Sequence, residues 1–542
     1  MSLAAMLSRR ALRLKFSTLL KTATYSTAPA STATNRDNFY QNIAGAQNDD
    51  TNPEGWENAK PFDSIPGPKP LPVLGNMWRF FPGAEFHNIN TDKLFLLFQQ
   101  RYGDVVRLGG IWGRRDKIFL YDTGDMEDML RNTGPFPSRF IMDAIFYYRR
   151  KLRKDVYKGN LGLALLQGEE WYKLRKIVNP ILMQPKTIQQ YTTRMDGVAK
   201  NLMKLISHRM TSSGTNTTPD DFEKDLYKWA LDSVAIIALN RQLGALNAHA
   251  DAETTKFVLS VLRLFDQSFY LEQMPPYWKY LPSKRLKDYC DNLDFITDVL
   301  TRMIDKSLAE FKNEDGVPDE ELGVLQRLIK LDKQTAVIMT MDMITAGVDT
   351  TGKTLGAVLY FLARNPDKQS ILREEILKYL PEKDTVLTAD NLNEMQYLKA
   401  AVKESSRIAP IAITSLRTAS KNMIVRGYQV PKGTDILPMH HHASTLTDKN
   451  FKEPSKYIPE RWLRSVSNEY SAKNAHPFAY MPFGHGARSC IGRRFATLEV
   501  EVAVANMIRN FELSWDQPDL RFEARLLYGF IDPLKLTLKE LK

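Results

Sequence analysis

Cysteine is scarce in this sequence: its 542 residues include two, Cys290 and Cys490. They form no CxxC pair and no disulfide framework, which fits a reducing interior compartment. Acidic residues are missing from the start of the chain; Asp37 is the first. No apolar run near the N-terminus approaches the roughly 20 residues that span a bilayer, so no N-terminal membrane anchor is expected. No RNP or zinc-finger signature accompanies the net charge of +11, so nucleic acid is not expected as a partner. An anionic membrane surface or an acidic protein would meet that charge equally well. No GxGxxG follows a strand and no ferredoxin-type cysteine set occurs, so redox chemistry would draw its electrons from another protein.

What the N-terminus does contain is basic and amphipathic. Arg9, Arg10, Arg13, Lys15 and Lys21 interleave with Leu7, Leu12, Leu14, Phe16 and Leu19, and Ser and Thr crowd the residues beyond Lys21. This is the composition of a mitochondrial transit peptide, expected over residues 1–36. Its removal would lower the net charge from +11 to +5. Residues 37–60 read as a polar linker and 61–542 as a single domain without repeats. The stretch 61–76, "PFDSIPGPKPLPVLGN", should be a stiff, extended lead-in, because its prolines fix φ and remove donors. Helical periodicity then dominates, at 91–102, 169–181, 186–210, 219–240, 252–270, 283–312, 333–364, 368–380, 396–408 and 491–510. Short strand-like pieces fall at 104–108, 117–121, 424–430 and 434–438. The fold class is mainly α.

The stretch 481–492, "MPFGHGARSCIG", places Cys490 where a helix begins. A thiolate that ligates iron must stay deprotonated and sheltered. The helical pattern from Ile491 would aim its positive end and free N–H groups at the sulfur. Gly484 and Gly486 permit a tight turn, and Gly492 keeps a side chain away from a flat macrocycle. Phe483 can cover the thiolate edge, and the Arg488 fork suits a carboxylate. A cysteine standing alone is as well read as a small buried apolar residue. Phe483, Gly486, Arg488, Cys490 and Gly492 at fixed spacing argue against that reading.

This stretch resembles the haem-ligand loop of the cytochrome P-450 superfamily. The resemblance implies that family's fold, a large helical domain with a long central helix and a small β-rich subdomain. It also implies haem b as the cofactor, with Cys490 as the axial ligand of its iron and Phe483 and Arg488 beside it. Further motifs occur in the family's order. "AGVDTT", 346–351, lies inside the long apolar helix. There Asp349 and Thr350 set an acid beside an alcohol, costly to bury unless used and able to relay protons to bound oxygen. Thr350 can bond back to the carbonyl of Ala346, and Gly347 leaves room for a diatomic ligand. Gly352, where the family often has serine, should matter little. "KESSR" pairs Glu404 with Arg407 at i,i+3, and in the family an arginine from a segment like "YIPERW", here Arg461, joins them in a structural triad. Trp171 and Arg175, on one helical face, suit a carboxylate, and the family uses this pair on a haem propionate. Arg417 matches a further propionate partner.

The transit peptide, the missing anchor, "YLKAAVKESSR" and "CIGRR" resemble the mitochondrial class, and "PFGHGARSCIGRRFA" is similar to insect mitochondrial members of the twelve family. The class implies electrons from an adrenodoxin-type ferredoxin with its NADPH reductase. Lys399, Lys403, Arg493 and Arg494 would form its basic docking patch. It also implies peripheral attachment to the matrix side of the inner membrane, helped by the aromatic, proline-rich loop 273–282. The implied activity inserts one atom of O2 into a lipophilic small molecule, a xenobiotic such as an insecticide or an ecdysteroid-type hormone. Specificity would come from 136–165, 252–272, 342–350, 411–416 and 526–531. Two other classes stay open: a haem–thiolate isomerase or dehydratase needing no redox partner, and a non-catalytic haem-binding protein. The Asp349–Thr350 pair counts against the isomerase. The run 440–442, "HHH", falls in a strand-like piece, where adjacent side chains face opposite ways and make poor metal ligands. Two of the three are expected to be ordinary polar or packing residues, and Cys290 an incidental thiol.

Overall fold

A helix that is apolar on every side has to be buried, and one such helix lies at the centre of this protein. The computed structural model describes residues 51–247, 252–273, 275–310 and 322–541. The transit peptide expected at 1–36 and residues 37–50 of the linker lie outside them. The long helices are α1 (Thr91–Tyr102), α2 (Gly168–Met183), α3 (Thr192–Ser213), α4 (Phe222–Leu239), α5 (Ala252–Gln273), α6 (Lys284–Glu310), α7 (Lys333–Arg364), α8 (Pro366–Tyr379), α9 (Gln396–Ile408) and α10 (Arg493–Asn510). Every residue of α4 from Trp229 to Leu239 is buried. Asp232 among them is satisfied: its carboxylate accepts the N–H groups of Leu243 (3.1 Å), Ala245 (3.1 Å) and Leu246 (3.3 Å), fixing the turn after the helix.

The 32-residue α7 packs most extensively on α4. Their close approach explains two glycines. A Cβ at Gly352 would fall 2.5 Å from Cδ1 of Tyr227, and one at Gly347 would fall 2.9 Å from Cγ2 of Val234. Packing therefore bears on both positions. α4 lies against Gly347, so packing too asks for a small residue there. Serine at 352 would drive its side chain into the Tyr227 ring, so the glycine is required by packing.

The β-rich part is small. β1 (Val105–Leu108), β2 (Lys117–Leu120), β3 (Arg417–Thr418) and, later in the chain, β6 (Asp435–Pro438) form one sheet in the order β1-β2-β6-β3. β2 and β6 run parallel, with Ile118 opposite Ile436; the other pairs are antiparallel. Val106, Ile118, Phe119 and Leu437 of this sheet share a buried cluster with Phe98 of α1. Three two-stranded ribbons complete the set: β4 (Met423–Val425) with β5 (Tyr428–Val430), β7 (Phe511–Ser514) with β10 (Thr537–Glu540), and β8 (Phe522–Ala524) with β9 (Tyr528–Phe530). Before them, Lys60 donates its N–H to Gly427 (2.8 Å) and accepts that of Gln429 (2.9 Å), so the end of the stretch read as linker is tied to β5.

Several elements differ from the sequence reading. The lead-in at 61–76 is not extended throughout: Phe62–Ser64 make a 3-10 turn, and the chain reverses between Leu71 and Gly75, with Val73 (φ +64°) and Gly75 (φ +55°) left-handed. The stretch 424–430 is a hairpin, because Arg426 (φ +50°) and Gly427 (φ +76°) make the left-handed turn that joins twisted strands. The helix expected at 186–210 breaks before Thr192, where Tyr191 turns inward. Its ring meets Phe495 edge-on at 5.6 Å, and its hydroxyl accepts the Val324 N–H at 3.1 Å. The run 440–442 lies in a short helix, His440–Thr445, and not in a strand. All three imidazoles are buried there, and burial lowers their pKa values to about 4, 4 and 3. His440 and His441 bond the carbonyls of Ala412 (2.9 Å) and Ile408 (3.0 Å), while His442 lies edge-on to Tyr121.

Candidate active site

The ligand loop reverses through Gly484 (φ +71°) and Gly486 (φ +69°), left-handed positions that favour glycine. Backbone bonds shape it: the N–H of Gly484 donates to Met481 (2.9 Å), that of Ser489 to Gly486 (3.0 Å) and that of Cys490 to Phe483 (2.9 Å). Gly492 precedes the first turn of α10, and its N–H donates to the Cys490 sulfur. The sulfur therefore sits at the positive end of an 18-residue helix. Cys490 has accessible surface although protein atoms surround it on nearly all sides, so that surface opens on an internal space. Burial pushes its thiol up; the Gly492 N–H, Arg175, Arg139 and Arg493 oppose the rise.

Arginines gather around that space. Arg175 comes from α2, Arg417 from β3 and Arg488 from the ligand loop. Arg139, which the sequence reading passed over, joins them. An isolated bridge between Ser138 and Thr418 sets it beside Arg417, and Gln167 holds it by accepting its N–H (2.8 Å) and donating to its carbonyl (2.7 Å). Burial, and then the charges of Arg139, Arg417 and Arg175, lower the Arg488 pKa to about 8. Burial lowers Arg175 and Arg417 to about 10. A guanidinium stays charged in a protein, so these shifts express a cluster short of negative charge.

The donor inventory agrees. Arg488 Nε donates to the Pro137 carbonyl (2.8 Å), and Nη2 to the Leu166 carbonyl (2.8 Å) and Gln167 Oε1 (3.0 Å). Its plane lies 4.0 Å from the centroid of the Trp171 ring, which is 1% exposed. Arg417 donates to the carbonyls of Leu416 and His485, both at 2.9 Å. Left over are Nη1 of Arg488, Nε of Arg175 and Nε of Arg139, each buried without a partner. Buried cations with spare donors beside a free thiol fit a haem: its two propionates would meet the donors and the sulfur its iron.

On α7, Thr350 Oγ1 donates to the Ala346 carbonyl at 2.7 Å, as its position in the sequence suggested. Asp349 is fully buried and pairs with Lys353 at 3.0 Å. Burial raises the Asp349 carboxyl, and Lys353 opposes it. The acid and the alcohol are neighbours on the helix but hold different partners. Behind them Thr351 is hydrogen-bonded to Glu499 of α10, a carboxyl that burial pushes up to about 8.

Glu404 gathers the elements that support the loop. Arg407 Nε and Nη2 grip its two oxygens at 2.9 and 2.8 Å, and Arg461 Nε reaches Oε1 at 3.1 Å. The Trp462 indole N–H (2.9 Å) and the Ile458 N–H (3.0 Å) also donate to it. Arg407 spends its remaining donors on the carbonyls of Ser444, Pro454 and Lys456. The sequence pairs Glu404 with Arg407; the Trp462 and Ile458 donors appear only in the fold.

On the outer side of the loop, Phe483, Arg493, Arg494, Leu498 and Glu501 line a cleft of about 350 Å³ with Ile188 and Leu392. Cys490 does not line it, so this is not the cofactor chamber. Lys399 and Lys403 act electrostatically on Glu501, which lines the cleft with Arg493 and Arg494. Lys399 itself donates to the Asn393 carbonyl at 2.7 Å, while Lys403 is exposed. Cys290 is buried in α6, and burial raises its thiol to about 11, which leaves it inert. Among the described residues no cluster of three or more His, Cys, Asp or Glu side chains is arranged for a metal ion.

Comparison with known proteins agrees with this geometry. The family model described as Cytochrome P450 matches residues 65–531. Cytochrome P450 CYP12A2 of Musca domestica is 39% identical over 494 residues, covering 89% of this chain and 91% of the relative. "Probable cytochrome P450 12b2, mitochondrial" of Drosophila melanogaster is 36% identical over 494 residues, 90% of this chain and 91% of the relative. "Cytochrome P450 12b1, mitochondrial" of Drosophila acanthoptera is 33% identical over 478 residues, 87% and 88% of the two chains.

Proposed function

This chain belongs to the cytochrome P450 family of haem–thiolate monooxygenases, and on that premise we propose that it is a mitochondrial enzyme hydroxylating a lipophilic small molecule, with electrons from an adrenodoxin-type ferredoxin and its NADPH reductase. The observation that carries the reading is Cys490 at the start of α10, facing arginines whose buried donors lack an anion. Bound haem b would supply the iron centre that activates O2. Cys490 would hold that iron; Trp171, Arg139, Arg175, Arg417 and Arg488 would hold the propionates; Phe483, within the ligand loop, would cover the thiolate edge. Asp349, whose carboxyl burial raises against the opposing charge of Lys353, would relay protons exchanged through that lysine, whose side chain is 22% exposed. Thr350 hands a proton inward when its hydroxyl turns from the Ala346 carbonyl.

The substrate is a xenobiotic such as an insecticide, or an ecdysteroid-type hormone, taken up from the membrane. No helix of the described residues is long and apolar enough to cross a bilayer. Val73 (89% exposed), Trp112 (70%), Tyr280 (78%) and Leu281 (64%) instead support peripheral attachment to the inner membrane on its matrix side. They stand on loops that adjoin: the Asn76 N–H donates to the Gly110 carbonyl (2.9 Å), and a Cβ at Gly113 would fall 2.9 Å from the Pro276 ring. The ferredoxin docks on Lys399, Lys403, Arg493 and Arg494, leaving the opposite face to the substrate.

Turnover tests the reading. With a ferredoxin, its reductase and NADPH, oxygen consumption should depend on all three and on substrate. Activity that needs no electron donor would replace the monooxygenase with an isomerase or dehydratase. A second expectation concerns the arginines. Haem whose propionates are esterified should bind the apoprotein about 10- to 100-fold more weakly than haem itself, the scale of one lost hydrogen bond between charged groups. Titration of both forms checks it, and equal affinities would remove the propionate assignment.

A further inference from the structure

A second charged cluster lies apart from the cofactor residues, where several segments meet beside the sheet. Arg114 stands in the connection between β1 and β2. Its Nη1 lies 3.3 Å from Asp143 Oδ2 and 3.4 Å from Glu272 Oε2, and its Nη2 donates to the Leu271 carbonyl. Lys279 closes the cluster, with its Nζ 2.9 Å from Asp143 Oδ2. The Arg114 and Asp143 side chains are each 9% exposed, so this pairing is made largely out of water. Around it, a Cβ at Gly113 would fall 2.9 Å from the Pro276 ring, and Tyr147 meets Trp278 edge-on at 5.9 Å.

The segment that Asp143 belongs to is held at both ends. Arg139, before it, faces the cofactor space. Arg149, after it, pairs with Asp342 of α7 at 2.6 Å, on the helix that carries Asp349 and Thr350. Between them Met142 adopts a left-handed backbone (φ +59°), strained for a residue with a side chain and kept only where the surroundings impose it. Asp143 is the next residue, so the bonds from Arg114 and Lys279 are applied where the strain sits.

We infer that Arg114, Asp143 and Lys279 form a clasp that holds residues 139–149 against the haem chamber, and so act as positioning residues that set how fast bulky ligands enter and leave. The inference rests on the haem-site reading. The test is stopped-flow binding of 4-phenylimidazole, a bulky iron ligand, to the haem-loaded full chain. Arg114→Gln and Asp143→Asn should raise association and dissociation rates together by about 3- to 10-fold while Kd moves less than about threefold, the effect of losing one ion pair from a barrier. Unsubstituted imidazole, which is small, should bind at nearly unchanged rates. Lys279→Gln, at a more exposed position, should give a smaller step in the same direction and serves if the other two variants fail to fold. Variants that keep the carbon-monoxide spectrum of the parent but show unchanged 4-phenylimidazole rates would overturn the clasp. A parent enzyme whose spectrum does not respond to the azole would overturn the haem reading beneath it.

Discussion

Cys490→Ser is expected to abolish the thiolate red shift of the reduced, carbon-monoxide-bound spectrum and to lower oxygenation at least about 100-fold, the scale of removing one group that acts on the reacting centre. The serine oxygen is a hydroxyl at neutral pH and a poor donor of electron density to iron. The substitution is small, and the backbone bond from residue 490 to Phe483 does not involve the side chain, so the loop should keep its shape. The arginines that face the propionates are untouched, which allows haem to stay bound while its electronic signature changes. The spectrum is therefore the primary measurement and turnover the second. An unaltered Soret position with full activity would mean that another group ligates the iron.

Glu404→Gln should be the most destabilising single change outside the ligand loop. The carboxylate accepts from Arg407, Arg461, Trp462 and the Ile458 N–H, and the Glu404 and Arg407 side chains are 0% exposed. Glutamine keeps the shape but strands two buried guanidiniums and offers a donor where an acceptor is needed. Breaking a buried pair from one side costs about 3–5 kcal/mol, a large part of the roughly 5–15 kcal/mol that holds a typical domain together. Denaturant unfolding of the purified protein, or soluble haem-loaded yield, reads this out. Lys403→Ala, on the exposed side of the same helix, provides the contrast and should shift stability by about 0.5 kcal/mol or less. A glutamine variant within about 1 kcal/mol of the parent would mean that the cluster does not share the load in the way the distances imply.

Much of the site is legible in the sequence because its residues act in short, stereotyped spacings. Cys490 and the glycines before it form one turn, Glu404 and Arg407 one helical face, and Asp349 and Thr350 adjacent positions on α7. Arg139 was not legible. It has no motif of its own, and its role arises because Ser138 bridges Thr418 and Gln167 clamps the same peptide. The packing role of Gly347 and Gly352 was missed for a related reason. Their size answers to α4, and no local pattern reveals which helix will lie against them. Tyr191 breaks a helix that periodicity would continue, because its tertiary partners, Phe495 and Val324, lie far along the chain.

Short-range chemistry was thus settled by the amino-acid order itself: which cysteine stands in the glycine turn, which helix begins just after it, which acid and alcohol stand side by side. Those relations depend on bond geometry within one or two turns, and they survive any arrangement of the rest. Three-dimensional packing alone decided which guanidiniums share one anion-poor space, why α7 needs glycines, and how Arg114 and Lys279 meet at Asp143. Coulomb and contact energies fall off over a few ångströms, so they belong to neighbours in space, and only the folded chain says who those neighbours are.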